Sequence, residues 1–207
     1  MIFADDFESG DFAAWPFSSI DANNMSVVPA AALSGSQGLR VVIDDNNPLY
    51  IADDRPNAES HYRARFYFDP NGLAMASGNT HYIFTGVMES TKEVVRLSLR
   101  YANGSYHLSA GLLNDSSNWT NTSWFPLTDS PHMIELEWQA ASAPGVNNGQ
   151  LGLWLDGAKR TQLTNIDNDT HQIDLAVLGP YSGIDTGTRG NYFFDAFESR
   201  RTTYIGP

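Results

Sequence analysis

The stretch His61-Tyr62-Arg63-Ala64-Arg65-Phe66-Tyr67-Phe68 decides the fold class of this chain. Apolar and polar residues alternate in it with a period of two, which is typical of a β-strand with one buried and one solvated face. The predicted core face consists of Tyr62, Ala64, Phe66 and Phe68. The predicted outer face carries His61, Arg63, Arg65 and Tyr67.

The same alternation continues along the chain. Residues 96–101 and 106–110 flank an Asn103-Gly104 turn, which is a strong hairpin signal. Residues 132–138 place Ile134, Leu136 and Trp138 inward. Further strands are predicted at 38–44, 49–52, 82–88, 150–156, 172–178 and 191–204, and no amphipathic helix is evident. About a dozen strands predict an all-β, two-sheet antiparallel β-sandwich of the jelly-roll type.

Composition limits the number of domains and the classes of partner. The chain has 207 residues, 42% of them hydrophobic, which suits one core, so residues 1–207 are predicted to form a single jelly-roll domain. The formal net charge of −12 argues against nucleic acid and anionic membranes as partners. No apolar run is long enough for membrane insertion. The absence of cysteine means that packing, and not disulfides, must hold the fold.

A short repeat links the two ends. Residues 3–9 and residues 193–199 both read Phe-x-Asp-x-Phe-Glu-Ser. Strand parity places Asp5 and Asp195 on the apolar side of their strands. A carboxylate there is costly unless it is protonated, hydrogen-bonded or bound to a cation.

These motifs resemble the laminin-G-like and concanavalin-A-like jelly rolls of bacterial extracellular proteins. The matching pieces include Asp5-Asp6-Phe7-Glu8-Ser9-Gly10, the 35–39 strand entry, Leu153-Trp154-Leu155-Asp156-Gly157 and Tyr192-Phe193-Phe194-Asp195-Ala196-Phe197. The resemblance implies adjacent terminal strands and a module cut from a larger protein that is secreted or displayed on the cell surface. The segment Met1–Gly10 lacks the features of a signal peptide.

The resemblance also implies a structural Ca²⁺ between the terminal strands. Glu8 matches the family's first motif and Asp195 its last, with Asp5 and Asp6 as additional oxygen donors. The alternative is that these carboxylates cap turns or pair with Arg200 or Arg201.

Carbohydrate binding is the predicted function, because it needs only exposed aromatic rings and hydrogen-bonding groups. Trp119 and Trp124 stand in the very polar segment 114–124. Trp154, opposite the leucine face of its strand, is predicted to share one arginine-rich surface with the polar faces of neighbouring strands, which carry Arg63, Arg65, Tyr67, Arg96, Arg100, Glu135 and Glu137. That surface is either a lattice of ion pairs or a groove for a polysaccharide or cell-surface glycan. A purely structural, self-associating or adhesive domain that contacts its neighbouring domains is the alternative.

No catalytic residues are predicted. Glu135 and Glu137 share a strand face, but the third acid that hydrolases of this fold carry is replaced by Ala140. A polysaccharide lyase of this fold would use a His and a Tyr with Arg and Gln. The side chains of those types are His81, Tyr82, His107, Arg63 and Arg100, without the family's spaced motifs.

Overall fold

The computed structural model describes residues 1–21, 23–89 and 91–207. This part of the chain forms sixteen β-strands and one short 3₁₀ turn, Pro29–Ala31. The strands are β1 Phe3–Asp5, β2 Phe17–Ser19, β3 Met25–Val28, β4 Gly38–Ile43, β5 Tyr50–Asp53, β6 His61–Asp69, β7 Thr80–Met88, β8 Lys92–Ala102, β9 Ser105–Leu113, β10 Trp119–Asn121, β11 Phe125–Leu127, β12 His132–Gln139, β13 Gly149–Leu155, β14 Ala158–Ile166, β15 Leu175–Leu178 and β16 Gly190–Arg200.

The strands form two antiparallel sheets. Sheet I has the order β14-β13-β12-β6-β16-β4-β3, with β1 paired to β16, and sheet II has the order β10-β9-β8-β7-β15-β5-β2, with β11 paired to β9. The predicted adjacency of the two ends is confirmed, because Phe3 pairs with Ser199 and Asp5 with Phe197. Neighbouring strands in each sheet are often distant in sequence, as expected for a jelly roll.

One hydrophobic core lies between the sheets. The predicted inward side chains of β6, β12 and β13 are all buried. The Phe66 ring of sheet I stacks on the Phe84 ring of sheet II at 5.9 Å and meets the edge of Phe194 at 5.8 Å. Aromatic pairs in these arrangements add to the free energy gained by area burial.

Two hairpin turns follow the predicted chemistry. Asn103 and Gly104 have φ values of 53° and 79°, and Asp156 and Gly157 have 54° and 75°. A two-residue turn with positive φ at both positions matches the twist of the strands it joins, and Asn, Asp and Gly adopt that conformation most readily. These turns fix the register of β8 with β9 and of β13 with β14.

The strand parity predicted for Asp195 is wrong. The register of β16 against β6 shifts between Asp195 and Glu198, and Ala196 has a φ of 45°. This bulge inserts one residue, so Phe194 and Phe197 both reach the core while Asp195 lies on the other face. Asp195 is nevertheless fully buried.

Several strands are missing from the sequence prediction. The most instructive is β14, an edge strand whose side chains are mostly exposed on both faces, so that no period-two signal exists. The last strand is also shorter than predicted, because it ends at Arg200 and residues 201–207 leave the sheet. Within the described ranges, no helix has the length and apolar character needed to cross a bilayer.

Candidate functional site

The predicted arginine-rich surface is not a single surface. Arg63 and Tyr67 on β6 and Trp154 on β13 belong to sheet I, whereas Arg96 and Arg100 on β8 belong to sheet II. The core separates the two sheets, so these side chains lie on opposite outer faces of the sandwich. Trp119 and Trp124 join Arg100 on the face of sheet II.

The outer face of sheet II is built from aligned rows of side chains. Arg96 pairs with Gly111, and Gly111 pairs with Asn121. The next row in register contains Tyr82, Ser98 and Ser109, and the third contains Thr80, Arg100 and His107. In the middle row, the residues on β8 and β9 are Ser98 and Ser109, whose side chains are short. This row therefore forms a low floor between two rows that carry long side chains.

Arg96 and Trp119 form one side of this floor. The guanidinium carbon of Arg96 lies 3.9 Å from the centroid of the Trp119 ring. Arg96 Nη1 donates to the Tyr82 hydroxyl at 2.8 Å, and Nη2 donates to Asn121 Oδ1 at 3.3 Å. These contacts hold the half-buried arginine upright between two aromatic side chains.

Arg100 and Trp124 form the other side. The Arg100 guanidinium carbon lies 4.1 Å from the centroid of the Trp124 ring. Trp124 is placed by the segment between β10 and β11, which both pair with β9. Ser109 Oγ donates to Thr122 O and Ala110 N donates to Thr122 Oγ1, and these bonds anchor the segment. Arg96 and Trp124 line one cleft, and Trp119 and Arg100 stack on them.

The cleft between these pairs has a volume of about 230 Å³. Its lining residues are Thr80, Tyr82, Arg96, Ser98, Ser109, Asn121, Thr122 and Trp124. Gly111 keeps it open, because a Cβ at this position would lie 2.3 Å from Asn121 Oδ1 and 3.4 Å from the Trp119 ring. None of the lining residues is acidic.

The outer face of sheet I is an ion-pair lattice, the first of the two predicted alternatives. Arg63 contacts Glu135 at 2.8 Å and Glu137 at 2.7 Å. His61 also meets Glu137, at 3.0 Å. Arg65 pairs with Glu198 at 3.3 Å. Hydrogen bonds from His61 lower the pKa of Glu137, with a further contribution from the Arg63 charge.

The C-terminal segment covers part of this lattice. Ile205 N and Gly206 N donate to the two carboxylate oxygens of Glu135 at 3.1 and 3.0 Å, and Glu135 is fully buried. Trp154 is only 9% exposed, because its ring lies over Gly152 and near Tyr204. Of the predicted ligand-binding residues on this face, Trp154 and Arg63 are thus occupied by contacts within the chain, and the half-buried Tyr67 ring lies 5.7 Å from the Arg65 guanidinium carbon.

The residue types of the two enzymatic alternatives are also divided. Glu135 is enclosed by the C-terminal segment. His81 lies in the core, fully buried and stacked on Tyr192 at 5.8 Å. Burial lowers the pKa of His81 to about 4. Only Tyr82, His107 and Arg100 share the face of sheet II.

The four carboxylates predicted to hold Ca²⁺ accept hydrogen bonds from the chain itself. Glu8 accepts from Ser36 N at 2.7 Å and Gln37 N at 2.9 Å, and Asp195 accepts from Leu33 N at 2.7 Å and Ser34 N at 2.8 Å. One loop, residues 33–37, therefore meets both acids.

The remaining two predicted ligands fix local turns. Asp5 accepts from Phe7 N and from Trp15 Nε1, and Asp6 accepts from Glu8 N. Burial raises the pKa of Asp5 and of Asp195. No three of the four predicted ligands cluster at ligand distance within the described ranges. Calcium at the terminal strands stays a prediction.

A different acidic cluster does assemble. Asp115, Asp167 and Asp169 each place a carboxylate oxygen within 4.8 Å of the others, a group that could hold a metal ion. Desolvation and the neighbouring charge of Asp115 raise the pKa of Asp169. The sequence analysis did not predict this cluster, because Asp115 comes from a distant loop that only the fold brings to Asp167 and Asp169.

Sequence reasoning likewise missed the role of the lining residues of sheet II. Arg96 was placed on the wrong shared surface, and Tyr82, Ser98, Ser109 and Asn121 carry no binding signal of their own. A period-two reading identifies the outward face of each strand. It cannot show which strands become neighbours.

No family model matches the chain, and no curated protein matches it. Among solved structures, an alginate lyase shares the fold with a TM-score of 0.63 and 8% identity, over 94% of each chain. The globular domain of T. cruzi calreticulin has a TM-score of 0.63 and 11% identity, over 98% of this chain and 88% of that one.

The binding domain of botulinum neurotoxin serotype D has a TM-score of 0.58 and 10% identity over 88% of this chain. This chain spans 43% of that domain's length. Identities this low show a common β-sandwich fold and nothing further about the site.

Proposed function

We propose that the protein is a non-catalytic carbohydrate-binding module whose site is the cleft on the outer face of sheet II. The observation that carries the proposal is the pairing of Trp119 with Arg96 and of Trp124 with Arg100 around a floor of serine hydroxyls. Sugars present apolar CH faces to aromatic rings and hydroxyls to polar side chains, so this combination suits them.

The geometry also defines how a sugar would fit. A stacked guanidinium occupies one face of each indole ring, so a sugar ring would pack on the other face or along the ring edge. Ser98, Ser109 and Asn121 would then face the sugar hydroxyls from the floor and side. A cleft formed in the free protein limits the entropy lost on binding.

The fold is consistent with this role. An alginate lyase and a toxin binding domain have the same sandwich, so this architecture supports polysaccharide chemistry and ligand binding in other proteins. Secretion or surface display, and adhesion through a bound glycan, belong to the proposal. A domain that only contacts its parent chain would have no need for the cleft.

The test is a glycan array followed by calorimetry with the best ligand. We expect Trp119→Ala and Trp124→Ala each to weaken binding by about thirtyfold, since truncating a central tryptophan typically costs about 2 kcal/mol. Trp154→Ala, on the opposite face, is the control and should leave affinity unchanged. Loss of binding in Trp154→Ala alone would move the site to sheet I and overturn this assignment.

A polysaccharide lyase is the second candidate, favoured by one observation. The Tyr82 hydroxyl accepts a hydrogen bond from Arg96 at 2.8 Å within the same cleft. In a β-elimination, a tyrosine could take the proton next to the carboxyl carbon and return it to the glycosidic oxygen as the C–O bond at the β carbon breaks, while an arginine neutralises the substrate carboxylate. Ultraviolet absorbance of an unsaturated product, lost in Tyr82→Phe, would establish the lyase and replace the non-catalytic proposal.

A further inference from the structure

We propose that the carbohydrate bound in the cleft of sheet II is acidic, a polysaccharide whose sugar rings carry carboxylates, and that Arg96 and Arg100 bind those carboxylates. This inference rests on the proposed function, because it names the ligand class for the same site. It is based on the missing acidic partners and the unused hydrogen-bond donors of the two arginines.

The two arginines have no acidic partner in an acidic protein. The chain has 24 Asp and Glu residues against 12 Lys and Arg. Five arginines form ion pairs with carboxylates: Arg55, Arg63, Arg65, Arg200 and Arg201. Within the described ranges, Arg96 and Arg100 form none. Arg40, Arg160 and Arg189 also form none there, but only Arg96 lines a cleft without an acid, and Arg100 stacks on Trp124 of the same lining.

Both guanidiniums also retain hydrogen-bonding capacity. The buried Nε of Arg96 and the buried Nε of Arg100 have no acceptor among the described residues. An unsatisfied buried donor costs free energy, more so when the group is charged. Because both Nε atoms are enclosed, an incoming carboxylate would meet the Nη groups, which are not among the buried unpartnered atoms. Such charge-assisted bonds are about twice as strong as neutral ones.

Stacking on tryptophan leaves the arginine donors available. The five N–H bonds of a guanidinium lie in its plane, and an aromatic ring below that plane takes none of them. The distances of 3.9 Å and 4.1 Å between guanidinium carbon and ring centroid therefore position the cations without consuming their donors. The fork geometry of arginine matches a carboxylate through two parallel hydrogen bonds.

The spacing suits a polymer. Arg96 and Arg100 are four residues apart on β8, which separates their Cα atoms by about 13 Å. A span of this size accommodates an oligosaccharide with more than one carboxylate. The intervening Ser98 and Ser109 would face neutral hydroxyls between the charged positions.

The overall negative charge does not prevent this recognition. The Debye length is about 8 Å at physiological ionic strength, so the remote carboxylates are largely screened from a ligand in the cleft. Direct contacts with guanidinium are short enough to escape most of that screening. We therefore expect affinity to depend on the local arginines and only weakly on the net charge.

The experiment measures affinity by calorimetry for three probes: oligogalacturonate or oligomannuronate, the same oligomer after reduction of its carboxyl groups, and a sulfated oligosaccharide. We expect the uronate to bind at least tenfold more tightly than the reduced or the sulfated probe. Arg100→Gln should weaken uronate binding by about tenfold to hundredfold, and Arg100→Lys should restore only part of it. Arg160→Gln, an exposed position on sheet I, is the matched control and should have no effect.

The outcomes separate this inference from the proposed function. The acidic ligand is overturned if the uronate and the reduced oligomer bind equally well, Trp119→Ala weakens binding and Arg100→Gln leaves affinity unchanged. That result would leave a site for neutral carbohydrate. A preference for the sulfated probe overturns the carboxylate assignment. If none of the probes and no array glycan binds the folded protein, both the ligand class and the carbohydrate-binding function fail.

Discussion

His81 is the residue whose protonation is most strongly opposed by its surroundings. It is fully buried against Tyr192, and both of its ring nitrogens lack hydrogen-bond partners within the described ranges. Desolvation lowers its pKa from the ordinary 6.5 to about 4, and Asp185 opposes this shift only in part. The imidazole is therefore neutral in the folded protein at neutral pH.

This burial predicts an acid-sensitive stability. Between pH 6.5 and pH 4 the unfolded chain binds a proton at His81 that the folded chain does not, so the free energy of unfolding falls as the pH falls through this window. The complete loss is about 3 kcal/mol for a shift of this size. Urea unfolding at a series of pH values measures it.

His81→Phe provides the comparison, because it keeps an aromatic ring against Tyr192 and removes the titrating group. We expect the variant to lose stability less steeply between neutral pH and pH 4 than the parent. Parallel pH profiles of the two proteins would contradict the assignment of this acid sensitivity to His81.

At the scale of the element, β9 shows how one glycine shapes the site. Gly111 lies between Arg96 on β8 and Asn121 on β10, and its φ is not in the left-handed region. A side chain is therefore excluded by space and not by the backbone. The missing Cβ leaves the room that Asn121 and Trp119 occupy at the edge of the cleft.

Substitutions at Gly111 should close the cleft in proportion to their size. We expect Gly111→Ala to weaken binding of the array ligand by a few-fold and Gly111→Val by more than tenfold, since the new Cβ displaces Asn121. β-Branched residues suit strands, so the free energy of unfolding should change by only about 1 kcal/mol. Calorimetry and urea unfolding measure the two effects, and unchanged affinity in Gly111→Val would show that this edge of the cleft is not used.

The predicted elements are those with one buried face. In β6, β12 and β13 the alternation alone identified the inward residues, because burial selects side chains at every second position. The sequence could not identify the bulge at Ala196, since an inserted residue leaves the local pattern readable in two registers. It also could not identify β14, whose exposed faces impose no pattern.

At the scale of the whole molecule, the C-terminal segment is held across sheet I by one buried carboxylate. Glu135 accepts hydrogen bonds from Arg63, Ile205 and Gly206. Arg63 Nε also donates to Thr202 O at 3.0 Å. The strand β12, the strand β6 and the last residues of the chain thus depend on the same charge.

Glu135→Gln should release this segment. Breaking a buried ion pair costs about 3 to 5 kcal/mol, and the amide nitrogen of glutamine would face an N–H donor. We expect lower stability in urea and faster proteolytic trimming of residues 201–207. Glu137→Gln, which pairs with the same Arg63 and has no hydrogen bond to the segment, should not speed the trimming. Equal trimming of the two variants would refute the role of Glu135.

Calcium is the second test at this scale. If the predicted ion stabilises the fold, the thermal midpoint falls on chelation and recovers with added Ca²⁺, because a ligand of the native state alone shifts the unfolding equilibrium. Asp195→Asn would abolish the response if the terminal strands hold the ion. Asp167→Asn would abolish it if the Asp115, Asp167 and Asp169 cluster does. A thermal midpoint that changes neither on chelation nor on addition of Ca²⁺ would show that calcium does not stabilise the fold.

The sequence by itself determined the fold class, the inward faces of the main strands and the hairpin turns at Asn103-Gly104 and Asp156-Gly157, because these features depend on local periodicity and on the backbone preferences of single residues. The closeness of the two ends was implied by the resemblance to known jelly rolls. The sequence also singled out Trp119 and Trp124, because both stand in a very polar segment and Trp119 has no apolar neighbour in sequence.

Only the tertiary structure decided which polar faces coincide. It separated Arg63 and Trp154 from Arg100, buried His81, enclosed Glu135 and joined Asp115 to Asp167. The physical reason is that alternation gives each strand an inside and an outside, while the assignment of strands to sheets depends on packing between segments far apart in the chain. The cleft is formed by segments that are distant in sequence, so its residues form a candidate binding site only in the folded sandwich.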